Sequence, residues 1–435
     1  MAIALVAFVL ALQWPLVLNP GYFSHDELQW AAAADVASGQ RLPWVSWLGV
    51  DAFQYRPLTF NLWLWLSHHL FARPHAFHAV FVAWGAINAL LLQRVLRAWS
   101  VGRTAAVTAS LVFALGPFAA SVHGWVATLA DLLWVGVGLL IALAALQWRR
   151  QMLLGACVFV LMALALLAKE AALSIPVLSL VACILDRDRR AWRVVLVATV
   201  LPALAYLALR YDAIQSGAAS TTLYDWRLAY LPQRWLEYQL FGPMPSVSET
   251  VATLARGILR TRVLLAALLW CGLAVALARA GMRWLLAFIL GGIAALGPVL
   301  VLAGAMNHYG YAFAAFTAGL VAASWPRLPR WGRVIAALLS LLLVWHGINV
   351  MRTIHHVGAI QSVFSPALAR AATTTTGDVT LRLSPQAGNE RWIYQRLTHD
   401  IPAYQGVPIG NRVRLVESGA ADYIIAADGR LLPGP

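Results

Sequence analysis

Residues 151–190 read QMLLGACVFVLMALALLAKEAALSIPVLSLVACILDRDRR. Two apolar runs, about 152–168 and 171–186, flank Lys169-Glu170, and an arginine cluster closes the stretch. Each run is short against the roughly 20 apolar residues that cross the hydrocarbon core. Charge this close to the hydrocarbon is costly and needs partners. Lys169 is also the only lysine among 32 basic residues.

The same alternation of apolar run and charged break extends in both directions. Further apolar stretches lie at about 1–18, 76–97, 104–121, 126–147, 191–209, 262–279, 283–305, 309–325 and 333–351, so the pattern predicts eleven spans. Across all 435 residues 61% are hydrophobic, 11% are charged and the mean hydropathy is +0.71. A soluble chain carries about a quarter charged residues, so globular, disordered, collagenous and disulfide-rich classes are excluded and an all-α polytopic membrane protein is expected. Cys157, Cys183 and Cys271 lie in apolar runs, as packing residues do, rather than in a disulfide or zinc pattern.

The net charge of +14 has a location. Arg94, Arg97 and Arg103, then Arg149 and Arg150, then Arg187, Arg189, Arg190 and Arg193, then Arg279 and Arg283, then Arg327, Arg330 and Arg333 occupy five loops, opposed there only by Asp186 and Asp188. The intervening breaks around His123-Gly124, Lys169-Glu170 and Asn307-His308 hold a single basic residue between them. The positive-inside rule puts the arginine loops in the cytoplasm and the poor breaks outside. The basic pI is therefore no sign of a nucleic-acid partner.

Sidedness fixes the remaining segments. Leu58–Ala72 (LTFNLWLWLSHHLFA) would invert the alternation if it crossed, and its Trp-rich centre and His68-His69 suit a helix lying at the headgroup level, with a true span as the alternative. Residues 1–18 lack a basic leader and a small-residue cleavage pattern, so they read as a retained first span. Outer loops then cover 19–75 and 210–261, and the membrane domain runs over 1–351. From 352 to 435 the apolar runs stop, and DVTLRLSP, NERWIYQRLTHDI, VRLVES and DYIIAADG predict a small outer α/β domain.

The outer breaks hold the candidate chemistry. Ser24-His25-Asp26-Glu27 opens the helical stretch LQWAAAADVASG; Asp26 is either an N-cap with Glu27 in the first turn, or a carboxylate that takes a proton from an acceptor hydroxyl. In Gln54-Tyr55-Arg56-Pro57, Arg56 suits a phosphate or simply anchors a surface helix. Lys169 suits a phosphate leaving group or pairs locally with Glu170. Asp131 lies within a span, as a site or as a helix–helix hydrogen bond, and His123 and His308 fall in short breaks without zinc spacing. The long outer loop about 210–261 interleaves Arg210, Arg227, Arg234, Arg256, Arg260 and Arg262 with Tyr224, Trp226, Tyr230, Trp235 and Tyr238, which on a membrane face suits lipid headgroups, sugars or a polyphosphate, or an interface belt with no ligand.

The order of these elements resembles the GT-C class of membrane glycosyltransferases, especially protein O-mannosyltransferases and bacterial lipid-linked-sugar transferases. The resemblance covers about residues 1–325 and rests on His-Asp-Glu (25–27), Tyr-Arg-Pro-Leu-Thr (55–59), Gly-Pro with His-Gly-Trp and Asp (116–131), Ala-Lys-Glu with Pro176, and Asn-His-Tyr-Gly-Tyr (307–311). It implies a catalytic acidic residue in the first outer loop, falling on Asp26 with Glu27 beside it, juxtamembrane helices in that loop, and a polyprenyl-phosphate sugar donor. Related enzymes place an arginine before the tyrosine of the penultimate outer loop; here Asn307-His308 precede Tyr309, which leaves His308 as the substitute.

The expected function is transfer of a sugar, with inversion, from a polyprenyl phosphate to a glycan, lipid or protein hydroxyl on the outer face of a bacterial inner membrane. Asp26 and Glu27 are the catalytic candidates and Arg56, Lys169 and His308 the phosphate ligands, with His25, Tyr55, His123, Asp131, Glu170 and Tyr309 around the cavity. No metal and no other cofactor is expected, although the chemistry does not forbid a divalent ion. A multispan lipid or solute transporter and an O-antigen ligase or polymerase are the alternatives.

Overall fold

A computed structural model describes residues 2–35, 41–50, 52, 54–186, 189–215, 227–243, 260–375 and 377–434. Among the described residues seven helices are long and apolar enough to cross a membrane: Pro74–Ala98, Val126–Gln147, Gln151–Ala168, Arg190–Leu209, Thr261–Ala280, Met282–Val301 and Arg330–Thr374. Arg103–Leu115 and Pro117–Gly124 form an eighth if taken together, bent by 57° where Gly116-Pro117 interrupts the backbone ladder. This is the architecture of an integral membrane protein.

The predicted count of eleven full spans is not met. The stretch 1–18 is the helix Ala2–Leu12 (α1) followed by a short turn at Trp14–Val17, and 309–325 becomes the 14-residue helix Tyr311–Ser324. The run after Lys169 begins as a tight turn and holds a regular helix only over Ser174–Leu185. Hydropathy locates apolar segments and misses the breaks, because proline, glycine and charge interrupt helices without removing the apolar residues beside them.

The first outer loop carries two helices. His25–Ala34 (α2) begins beyond Ser24, and Pro57–Leu70 (α3) begins with proline at its first position, where the missing N–H costs nothing. Fourteen residues of helix rise only about 21 Å, less than the roughly 30 Å hydrocarbon core, so α3 is too short to cross. It packs on α2 and on Gln151–Ala168 (α4), and the Thr59 hydroxyl donates to the Ala168 carbonyl at 2.7 Å, where α4 ends.

Beneath this lies an apolar core with an embedded polar chain. Gln13 Oε1 faces His123 Nδ1 at 2.9 Å, His123 Nε2 faces the Tyr311 hydroxyl at 3.1 Å, and Asn88 donates to that hydroxyl at 3.3 Å and to the Leu132 carbonyl at 3.0 Å. An acceptor opposite Nδ1 requires the proton there, so Nε2 accepts from Tyr311. His123 is thus fully buried inside a helix and is not in a cavity wall as expected. Gly85 makes room for it, since a Cβ there would sit 2.0 Å from His123 Nε2.

The helix Arg330–Thr374 (α5) runs about 68 Å, past the expected domain boundary at 352. The reason is a continuing stripe of Ile354, Val357, Ile360, Phe364, Leu368 and Ala372, all buried at helical spacing against the N-terminal segment and the C-terminal unit. Gln361 Oε1 accepts the Tyr22 backbone N–H at 2.9 Å. The C-terminal unit holds Val379–Leu383 (β1), Val413–Val416 (β2), Tyr423–Ile425 (β3) and Leu431–Pro433 (β4), in the order β2-β1-β3-β4, with β1 parallel to both neighbours and β4 antiparallel. The helix Arg391–Thr398 (α6) packs against α2 and α5.

Candidate active site

The breaks that interrupt the helices meet at one end of the bundle. At the first, Ser24 caps α2, and the Glu27 carboxylate reaches back to the Phe23 and Ser24 backbone N–H groups at 2.6 and 2.7 Å in a capping box. The other Glu27 oxygen accepts the Val126 N–H at 3.0 Å, which ties the loop to the turn before Leu129–Gln147. Glu27 is 1% exposed and both of its oxygens are held by backbone N–H groups. Burial pushes its carboxyl up to about 8, against the pull of those three N–H groups.

Asp26 is left over by this arrangement. It is not the N-cap; its side chain is 35% exposed and among the described residues takes the Ser24 hydroxyl, at 2.9 Å, and His25 Nε2, at 3.5 Å. The His25 Nδ1 is buried with no partner among the described residues, and burial lowers the pKa of the ring. His25 also meets the His399 ring, centroids 5.1 Å apart, at the seam with the C-terminal unit.

The second break is Lys169, extended where α4 stops. Its Nζ lies 2.7 Å from both Asp131 oxygens, Trp134 Nε1 donates to the same carboxylate at 3.2 Å, and the Tyr309 ring centroid is 5.0 Å from Nζ. Lys169 and Asp131 are 2% and 3% exposed, which a lone charge could not sustain. Arg56, fixed ahead of Pro57, grips Glu170 with Nε at 2.8 Å and with Nη2. The adjacent pair Lys169-Glu170 thus does not neutralise itself: each residue takes a partner from another element, Asp131 and Arg56. Gly297 closes this wall from behind, with φ of +55° and the Ser174 hydroxyl in the space a Cβ would fill.

The third break is Asn307–Gly310, a single tight turn. His308 stacks edge-on against Trp125 and Tyr309, with centroids 5.0 and 4.3 Å away, and its Nδ1 is buried without a partner among the described residues. Burial, followed by the charges of Lys169, Arg56 and Arg396, holds its pKa well below the usual histidine value. The neutral imidazole is thus favoured at His308, which does not stand in for an arginine's fixed charge; Lys169 and Arg396 lie against the two rings that flank it.

Arg396 is the residue the sequence did not single out. It projects from α6 with its guanidinium 4.7 Å from the Phe23 ring and 4.8 Å from the Trp125 ring, and Trp125 Nε1 donates to the Ser24 hydroxyl at 3.1 Å. Burial lowers its pKa while Asp26 and Glu27 oppose that, so both carboxylates lie within its electrostatic reach. Among the described residues no carboxylate lies within ion-pair distance of it. One of 17 arginines outside the arginine loops, it had no neighbouring motif; its partners, Phe23 and Trp125, are hundreds of residues away in sequence.

The other expected residues fall around this centre. The Tyr55 hydroxyl donates to the Trp47 carbonyl at 2.6 Å, outside the cation group. Arg210 binds the Val50 and Ala52 carbonyls, and Arg234 binds the Leu302 and Ala303 carbonyls and Glu237. Both brace backbone, as the Arg227 N–H does at Val301. Tyr224, Trp226 and Arg256, like Arg187, lie outside the described residues. Among the described residues no three His, Cys, Asp or Glu side chains gather as a metal site would require.

No family model and no curated protein matches the sequence. Among solved structures, the archaeal oligosaccharyltransferase AglB from Archaeoglobus fulgidus, in complex with an inhibitory peptide and a dolichol-phosphate, aligns with a TM-score of 0.46 at 13% identity. The alignment covers 94% of this chain and 64% of that one, so the chain spans under two thirds of the AglB chain.

Proposed function

We propose that this protein is an integral membrane glycosyltransferase of the GT-C type that moves a sugar from a polyprenyl phosphate to an acceptor hydroxyl. The observation that carries the reading is that Lys169 lies against Tyr309 and Arg396 against Trp125, the two rings that flank His308, with Arg56 on the neighbouring Glu170 and the partly exposed Asp26 carboxylate on Ser24, whose hydroxyl Trp125 also meets. Arg56 and Lys169 arrive with their countercharges, Glu170 and Asp131, while Arg396 brings none within pairing distance. The group can thus accept an anion without first being emptied of charge.

The chemistry follows from that geometry. Asp26 takes the acceptor proton as the acceptor oxygen bonds to the sugar C1. The C1–O bond to phosphate breaks, and its electron pair leaves with polyprenyl phosphate, whose charge grows from one to two. Cations already in place stabilise that developing charge at little reorganisation cost. His308 Nδ1, as a neutral donor, would meet a phosphate oxygen. Trp125, Tyr309 and Phe23 form an aromatic wall suited to a sugar ring. A base on one side and a leaving group on the other imply single displacement with inversion, by analogy with the spacing of carboxylates in glycosidases.

The test is release of polyprenyl phosphate from synthetic polyprenyl-phosphate hexoses by the purified protein in the presence of candidate acceptors. Acceptor-dependent release of one lipid phosphate per sugar transferred is the expected result. Movement of the intact donor across proteoliposomes with no covalent change would overturn the reading in favour of a transporter.

A further inference from the structure

At the opposite, arginine-rich end, a cavity of about 960 Å³ enters the bundle between Arg103–Leu115, Thr261–Ala280, Tyr311–Ser324 and α5. Its walls are apolar, formed by Phe113, Phe118, Trp270, Phe313, Leu339 and Leu343. Its mouth carries Arg103, Arg283 and Arg327. This volume is at the upper end of small-molecule sites, and nothing in the proposed transfer reaction uses it.

The mouth is built for negative charge. The Arg283 and Arg327 guanidiniums lie 5.4 and 5.6 Å from the centroid of one ring, Trp284, so two like charges are held together. Among the described residues neither has a carboxylate within ion-pair distance, and neither does Arg103. Asp186, the acidic residue of the lining among the described residues, accepts Trp192 Nε1 at 2.8 Å. Inside, Thr317 is 7% exposed and its hydroxyl, like the indole N–H groups of Trp270 and Trp284, is buried with no partner among the described residues. An apolar interior below a cluster of unpaired cations matches an amphiphile with an anionic head, and not a soluble anion.

We propose that this cavity is a binding site for one anionic glycerophospholipid, with the phosphate between Arg283 and Arg327 and an acyl chain passing Thr317 into the apolar interior. Basic pockets between helices on the positively charged face of a membrane protein recognise such headgroups. The site lies at the end of the bundle away from Asp26, so its occupancy is a separate property from sugar transfer.

The test is native mass spectrometry of the full chain in detergent, titrated with long-chain phosphatidylglycerol. One tightly bound lipid per protein is expected, weakened about thirtyfold in Arg283→Ala/Arg327→Ala, from roughly fivefold per arginine, and largely kept in Arg283→Lys/Arg327→Lys. Dihexanoyl phosphatidylglycerol, whose chains cannot fill the cavity, is expected to bind far more weakly. Equal binding by phosphatidylcholine, or undiminished binding by the alanine pair, would overturn the proposal. So would displacement of the lipid by inorganic phosphate at equal concentration, which would mark a soluble-anion site. Because the readout is binding, failure here leaves the transfer reaction untouched.

Discussion

Cations collect at both ends of this helical bundle, and the two ends hold them differently. At the arginine-rich end Arg103 and Arg283 are exposed in the first turns of helices and Arg327 at the end of a short tight turn, without carboxylate partners among the described residues. At the other end Lys169 is 2% exposed on two oxygens of Asp131, Arg56 clasps Glu170, and Arg396 lies between two aromatic rings. Water solvates the first group, so its placement follows topology and costs little. The second group exists only because partners were brought to it from distant parts of the chain. Charge held against its own desolvation cost is the stronger sign of chemistry, whatever the count of charges.

The largest effect that would break this contrast is at Lys169. Lys169→Met leaves Asp131 buried and unpaired, which costs about 3–5 kcal/mol, and should abolish the monodisperse folded species in detergent by size exclusion. Lys169→Met with Asp131→Leu should recover much of that folding while transfer stays lost. A single variant that folds normally would show that the pair is not desolvated.

Arg396→Gln comes next. Loss of a charge-assisted contact to the donor phosphate costs about 1.5–3 kcal/mol, so kcat/KM for donor should fall roughly 10- to 150-fold with the unfolding temperature unchanged. An unaltered kcat/KM would remove Arg396 from the site. Glu27→Gln should act in the opposite sense: the capping box weakens by about 1–2 kcal/mol, seen as a lower unfolding temperature, while turnover at saturating donor stays within about threefold. Smallest of all, Arg103→Ala should leave stability within about 0.5 kcal/mol, as for any solvated surface charge, measured by the same unfolding transition.

The sequence disclosed the two ends more readily than the contacts within them. Arginine clusters alternating with charge-poor breaks were legible because loop charge is a local property of the chain. Lys169 and Asp131 each stood out as charge among apolar residues, but their pairing spans 38 residues and depends on how two helices pack. Glu27 was legible in principle: Ser24-x-x-Glu27 is a capping-box pattern, and reading Asp26 as the cap overlooked it. Arg396 was not legible, since its site is made by Phe23 and Trp125 from the other end of the chain. The length of α5 was missed because hydropathy falls after 351, while a helical stripe from Ile354 to Ala372 persists.

Asp26→Asn in the transfer assay tests the central claim most directly. The substitution keeps the side-chain shape and its contact with the Ser24 hydroxyl but removes the base. Turnover should fall about 10²- to 10⁴-fold, the range for loss of general-base catalysis, with donor binding and unfolding temperature unchanged. Near-normal turnover in correctly folded Asp26→Asn protein would contradict it.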